Sequence, residues 1–102
     1  MASMIAIAGF VRVPLDKRAA LQPHIETYVA ACRAEPGCRA FDVSFDAVEP
    51  EKMRFFEVFD DEAAHAAHDA TPHVAAWRAA RAALGAPGRE LTRYEIAASQ
   101  PL

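Results

Sequence analysis

Three of the chain's four histidines, His65, His68 and His73, stand within nine positions, and Trp77 follows four residues after the last of them. Upstream, Met53, Phe55, Glu57 and Phe59 share one side of a two-residue period, which sets a carboxylate into an otherwise apolar row. Imidazole takes and returns a proton near neutral pH, and a carboxyl group in apolar surroundings changes its own proton affinity. Together these residues have the makings of acid–base chemistry in a small pocket. His65 and His68 are three apart on one helical segment and project from neighbouring positions on its surface. His68 also follows Ala64 by four, on the small-residue stripe that packs inward, which makes it the best pocket candidate. Plainer roles stay open for each. A histidine on an alanine-rich helix serves equally as a solvated side chain. Glu57 can pair with Arg54, Arg78 or Arg93 or be turned outward by a bulge, and Trp77 and Phe55 can simply be core.

Histidines three apart on a helix can also share a zinc ion, with His73 as a third ligand. The Thr71-Pro72 break between His68 and His73 speaks against it, as does the lack of a cysteine or carboxylate at a standard ligand spacing, so no metal is expected. No Gly-rich phosphate loop, dinucleotide fingerprint or nucleophile elbow is present, which argues against nucleotide or flavin held by those means.

The elements that must position these residues are marked off by Pro14, Glu35-Pro36-Gly37, Glu49-Pro50, Thr71-Pro72 and Gly85-Ala86-Pro87-Gly88. Ile5, Ile7, Val11 and Val13 alternate with Met4, Ala6, Ala8 and Phe10, so the first strand, within 1–13, is apolar on both faces and calls for cover on each. From Asp16 to Glu35 the residues Leu21, Ile25, Tyr28, Val29 and Cys32 recur as one helical stripe, with Asp16 as the expected N-cap. Pro23 should kink that helix or mark the start of its regular part, and Pro36-Gly37 stops it. Cys38 to Asp46, with Phe41, Val43 and Phe45 on one face, and Met53 to Phe59 read as an antiparallel hairpin. Asp60-Asp61-Glu62 opens a helix running to about Ala70. Thr71 caps the next, with Pro72 at its first position, Val74, Trp77 and Leu84 inward and Gly85 at its end. Arg89 to Ala97 is a last strand. The order βαββααβ is a ferredoxin-like α+β arrangement, a four-stranded antiparallel sheet covered by helices on one face only. The bare apolar face is most economically buried against a second copy, so a homodimer is expected.

At 102 residues the chain suits one domain, 1–102, burying roughly two-thirds of its unfolded surface. It is 53% hydrophobic and 25% charged, without an apolar run of the roughly 20 residues a membrane-spanning helix needs. With a net charge of -3 and its arginines scattered among acids, it lacks the basic stripe that nucleic acid demands. The N-terminus has neither a basic leader nor a small-residue cleavage site, so a cytoplasmic location is expected, with Cys32 and Cys38 as reduced, buried thiols.

Glu35-Pro-Gly-Cys-Arg-Ala-Phe41, Phe55-Phe-Glu-Val-Phe-Asp-Asp61 and Ala64-His-Ala-Ala-His-Asp-Ala-Thr-Pro-His73 resemble, in turn, the helix stop, the Glu-bearing strand and the histidine-bearing helix of the antibiotic biosynthesis monooxygenase family. With the element order, the resemblance spans nearly the whole chain. It implies a small dimeric α+β barrel, related to quinol monooxygenases, that oxygenates a small electron-rich aromatic, a quinol or an anthrone, with O2 and without metal or flavin. Deprotonating such a substrate gives an anion that itself donates an electron to O2, so a base and a dry pocket suffice. On that scheme His68 is the first choice of base and His73 the second, Glu57 orients or polarises a histidine, Phe41, Phe55, Tyr28 and Trp77 sandwich the ring, and His65 adds to substrate binding. The family also resembles haem-degrading proteins that rely on an Asn in the first strand, a Trp in the middle helix and a haem-ligating His. Here that strand has no Asn, His68 falls near the Trp position and Arg78 near the ligand position, which disfavours haem degradation. The alternative is a non-catalytic protein of the same fold that binds a small molecule or haem.

Overall fold

The first strand's double-sided apolar pattern is met by a central position in the sheet. In the computed structural model, which describes residues 3–102, β1 (Met4–Arg12) pairs on one side with β3 (Lys52–Phe59) and on the other with β4 (Glu90–Ile96), while β2 (Cys38–Phe45) lies beyond β3. The order is β2-β3-β1-β4 and every pairing is antiparallel. Three helices complete the βαββααβ order: α1 (Arg18–Arg33), α2 (Glu62–Asp69) and α3 (Pro72–Ala83). The two leading residues of the expected first strand lie outside the described part.

Register places Ile7 of β1 opposite Glu57 of β3, and Glu57 opposite Phe41 of β2, so these side chains share the helix-covered face. The rows Phe41, Val43, Phe45 and Met53, Phe55, Glu57, Phe59 point together toward the helices, as their spacing predicts. A bulge does interrupt the β2–β3 ladder, but at Arg39, between Cys38 and Ala40, so it does not turn Glu57 outward. Gly9 is required at the centre of the sheet, because a Cβ there would lie 2.1 Å from the Glu90 carbonyl oxygen of β4.

Two helix starts contrast. Asp16 does not cap α1: it falls in a single 3-10 turn, Leu15–Lys17, closed by the Lys17 N–H donating to the Pro14 carbonyl, and α1 begins after it with no side-chain cap. The turn's own backbone bond does part of the work that a capping carboxylate would do. Nor does Pro23 mark the start, since α1 runs through it from Arg18. The proline forgoes one backbone bond, and burial of Leu21, Ile25, Tyr28 and Cys32 on the opposite stripe holds the helix together. In α2, by contrast, the Asp61 carboxylate accepts from the Ala64 N–H at 2.8 Å, and Thr71 caps α3 with Pro72 in its first turn, the latter as expected. Gly85, at φ +77, ends α3 in the left-handed conformation glycine favours. Both cysteines are free thiols, Cys32 buried and Cys38 half-buried. No helix among the described residues is long and apolar enough to cross a membrane.

Candidate active site

The capped start of α2 aims its last turn over the sheet, and His68 projects from that turn into the core. Its ring is 4% exposed and lies among the rings of Phe59, Phe41 and Tyr28, at centroid distances of 4.9, 5.7 and 6.4 Å. Such burial demands partners for both ring nitrogens. Nδ1–H donates to the carboxylate of Glu35, 2.9 Å from Oε2 and 3.1 Å from Oε1. Nε2 faces Glu57 Oε1 at 3.8 Å, longer than a hydrogen bond. His68 therefore stands between two carboxyl groups, firmly bonded to one and merely adjacent to the other.

Glu35 sits just past the C-terminal end of α1, where a helix dipole disfavours negative charge. Two imidazoles offset this, because His73, in the first turn of α3, also donates its Nε2–H to Glu35 Oε2. A carboxylate only accepts, so this network assigns an N–H to His68 Nδ1 and to His73 Nε2 and turns His68 Nε2 toward Glu57.

Glu57 is 5% exposed and carries no ion pair with Arg54, Arg78 or Arg93, which pair instead with Asp46, Asp69 and Glu62. Burial first, then the negative charges of Asp69 and Glu35, push its carboxyl up to about 8, against the pull of Arg89 and Arg78. Glu57 thus holds its proton at neutral pH, and its approach to His68 is that of a neutral acid rather than of an ion. His65 lies against Phe59 at 5.3 Å and 3.6 Å from Asp69 Oδ2, and burial chiefly lowers its proton affinity.

A cavity of about 260 Å3 is lined by Glu57, His65 and His68 together with Phe55, Tyr28 and Trp77, drawn from the sheet and all three helices. Tyr28 and Trp77 stack with centroids 4.8 Å apart and planes 5° from parallel. Of the residues expected to form the site, these six line the cavity. Phe41 and His73 do not. Phe41, 1% exposed on edge strand β2, packs behind His68, and His73 reaches Glu35 from the far side.

A family model for antibiotic biosynthesis monooxygenases matches residues 4–80. The chain belongs to that family. An uncharacterised protein of Synechocystis is 32% identical over 98 residues, covering 96% of this chain and 67% of its own length. Two candidate antibiotic biosynthesis monooxygenases share the fold. The one from Deinococcus radiodurans has a TM-score of 0.88 at 24% identity, over 96% of this chain and 97% of that one. The one from Nitrosomonas europaea has 0.85 at 23%, over 95% and 93%. The family's fold thus carries a Glu35–His68–Glu57 array here, of which Glu35 was legible only as part of a helix stop. Its one earlier signal was a carboxylate placed against a helix dipole.

Glu35 and Cys32 also bear on metal binding, since spacing alone did not bring a carboxylate or a thiol to the histidines. Donor atoms of Cys32, Glu35, His68 and His73 lie within 4.8 Å of one another. The chemistry of the set is less accommodating than its geometry. Burial, then the charge of Glu35, push the Cys32 thiol up, so it is a thiol and not the thiolate that ligates. Both imidazoles also turn protonated nitrogens toward Glu35.

Proposed function

We propose that the protein is a monooxygenase that oxidises a small electron-rich aromatic, a quinol or an anthrone-like compound, with O2 and without metal or organic cofactor. The observation that carries this is the geometry of His68: its Nδ1 is hydrogen-bonded to Glu35, which turns Nε2 toward Glu57 at 3.8 Å beside the cavity, where it can serve as a base. A histidine and a protonated carboxyl group in one cavity with the stacked rings of Tyr28 and Trp77 suit deprotonation of a ring substrate held there.

In this reading His68 Nε2 takes a proton from the activated O–H or CH2 of the substrate. The resulting anion gives up one electron to O2 and recombines with the reduced oxygen to form a carbon–peroxide bond. Glu57 protonates the distal peroxide oxygen. Its carboxylate then removes the remaining hydrogen from that carbon as the O–O bond breaks and the carbonyl forms. Hydroxide leaves with the proton held by His68, as water. The substrate loses two hydrogens and gains one oxygen atom, the second oxygen becoming water, and both residues return to their starting states.

Oxygen uptake with a panel of quinols and anthrones tests the proposal. His68→Ala should lower turnover by roughly a hundredfold or more, the usual loss for a general base, while circular dichroism shows the chain folded. Full turnover in that variant would pass the base role away from His68, and no oxygen uptake with any substrate of the panel would overturn the oxygenase reading.

A further inference from the structure

The chain has a net charge of -3, yet four arginines, Arg78, Arg81, Arg89 and Arg93, line the same cavity as His68. They are not equivalent. Arg93 donates to Glu62 at 2.8 Å and to Glu95 at 3.4 Å, and Arg78 lies 3.6 Å from Asp69, which His65 also approaches. Arg89, exposed on the rim, has no carboxylate partner among the described residues. Arg81 is the unusual one. It is 5% exposed, its Nη1–H groups donate to the carbonyls of Ala86 at 2.8 Å and Gly88 at 3.3 Å, and its buried Nε–H has no partner at all. Anchoring the 85–88 turn uses Nη1 and leaves the guanidinium charge of Arg81, which lines the cavity, with no carboxylate partner among the described residues.

Little in the cavity balances these cations. Asp69 is shared between Arg78 and His65. Glu57 is neutral at ordinary pH, and Arg89 and Arg78 stand near enough to depress the proton affinity of Arg81 further after burial has done so. The cavity thus carries two arginines, Arg81 and Arg89, without a carboxylate partner among the described residues, close to the proton-handling Glu57 and His68.

We propose that the arginine pair is an oxyanion subsite, in which Arg81 and Arg89 hold a carboxylate or similar oxyanion carried on the substrate ring. The preferred substrate is then an anionic hydroxylated aromatic acid rather than a neutral quinol. The inference rests on the reading above that this cavity receives the substrate. Guanidinium groups offer a planar fork of donors to such a group, in a cavity whose roughly 260 Å3 suits a single substituted ring. Trp77, Phe55 and His68 line the same cavity and would receive the ring of a substrate anchored there.

Anaerobic calorimetry separates this proposal from the oxygenase reading, because no turnover is needed. Titrations with 1,4-hydroquinone, 2,5-dihydroxybenzoate and inorganic phosphate should show the dihydroxybenzoate binding at least tenfold more tightly than hydroquinone, the scale of one added charge-assisted bond. That preference should fall to about threefold or less in Arg89→Gln and in Arg81→Gln, the exposed Arg89 serving as the variant least able to disturb folding. Equal affinity for the two aromatics, no binding of the dihydroxybenzoate, or a preference kept in Arg89→Gln would overturn it. So would phosphate that binds as tightly as the dihydroxybenzoate and displaces it, which would mark a site for free anions. Missing oxygen uptake would sink the oxygenase reading alone, while a missing carboxylate preference with hydroquinone still oxidised would sink this proposal alone.

Discussion

Glu57 and Glu35 are both buried beside His68, yet their surroundings ask opposite things of them. Glu35 accepts N–H bonds from two imidazoles, whereas Glu57 has no such donor within bonding distance among the described residues and burial pushes its carboxyl up to about 8. The folded state therefore keeps a proton on Glu57 that the unfolded chain, near its ordinary 4.5, has released. Stability from this source is complete below the ordinary carboxyl range and is lost progressively as pH rises from about 4.5 through about 8. Glu57→Gln, which fixes the neutral form, should flatten the fall in melting temperature across that interval. Melts between pH 5 and 9 that fall equally in both proteins would show Glu57 already ionised in the fold. Glu35→Gln removes the charge that fixes the His68 tautomer. It should cost about 1–3 kcal/mol of stability, as expected for a bond to a charged group, and lower kcat more than it raises KM. An effect on stability alone would reduce Glu35 to a structural residue. Elemental analysis of purified protein should find no stoichiometric metal. About one zinc per chain, released by Cys32→Ala, would reassign Cys32, Glu35, His68 and His73 as ligands.

Among the elements, the break between α2 and α3 does the most to shape the site. Thr71 accepts from the Val74 N–H at 3.4 Å while its hydroxyl donates to the His68 carbonyl at 2.8 Å, so one side chain ends the helix that bears His68 and starts the one that bears His73. The break that spoke against a shared metal is also what brings both histidines to Glu35, because it redirects the chain between them. Thr71→Ala should cost about 0.5–2 kcal/mol in chemical denaturation as a lost N-cap. It should lower turnover by more than that loss of folded protein explains. Activity per folded molecule equal to that of the parent would show that the histidines hold their positions without it.

For the molecule as a whole, the sheet is covered by helices on one face, and the other face presents Phe56 and Tyr94, 48% and 52% exposed. An antiparallel sheet can face water on one side, but exposed aromatic side chains on the two strands that flank β1 form a patch that self-association would bury. We expect light scattering to give about twice the 11.1 kDa of one chain, and Phe56→Asp to shift the mass toward the single chain. A parent protein that scatters as one chain at micromolar concentration would refute the dimer.

Element types and order were legible in the sequence because periodicity and punctuation are local. The two-residue rows of Phe41 and Phe55 and the Thr71-Pro72 and Gly85 signals each follow from backbone geometry within a few residues. The inward row of Glu57 and the inward position of His68 follow from the same kind of reasoning. The bonding partner of His68 does not. Glu35 reaches it across 33 positions of sequence, and only the packing of α1 against α3 and β2 brings them together. The start of α1 escaped local rules as well, since tertiary burial of its stripe outweighs Pro23 and the absent Asp16 cap. The cationic lining likewise joins Arg78 and Arg81 of α3 to Arg89 beside β4, residues that in sequence look like scattered surface charge. Covalent neighbours decide which element forms, but the proton state of Glu57 depends on desolvation and on charges from other elements, which act only once the chain has packed.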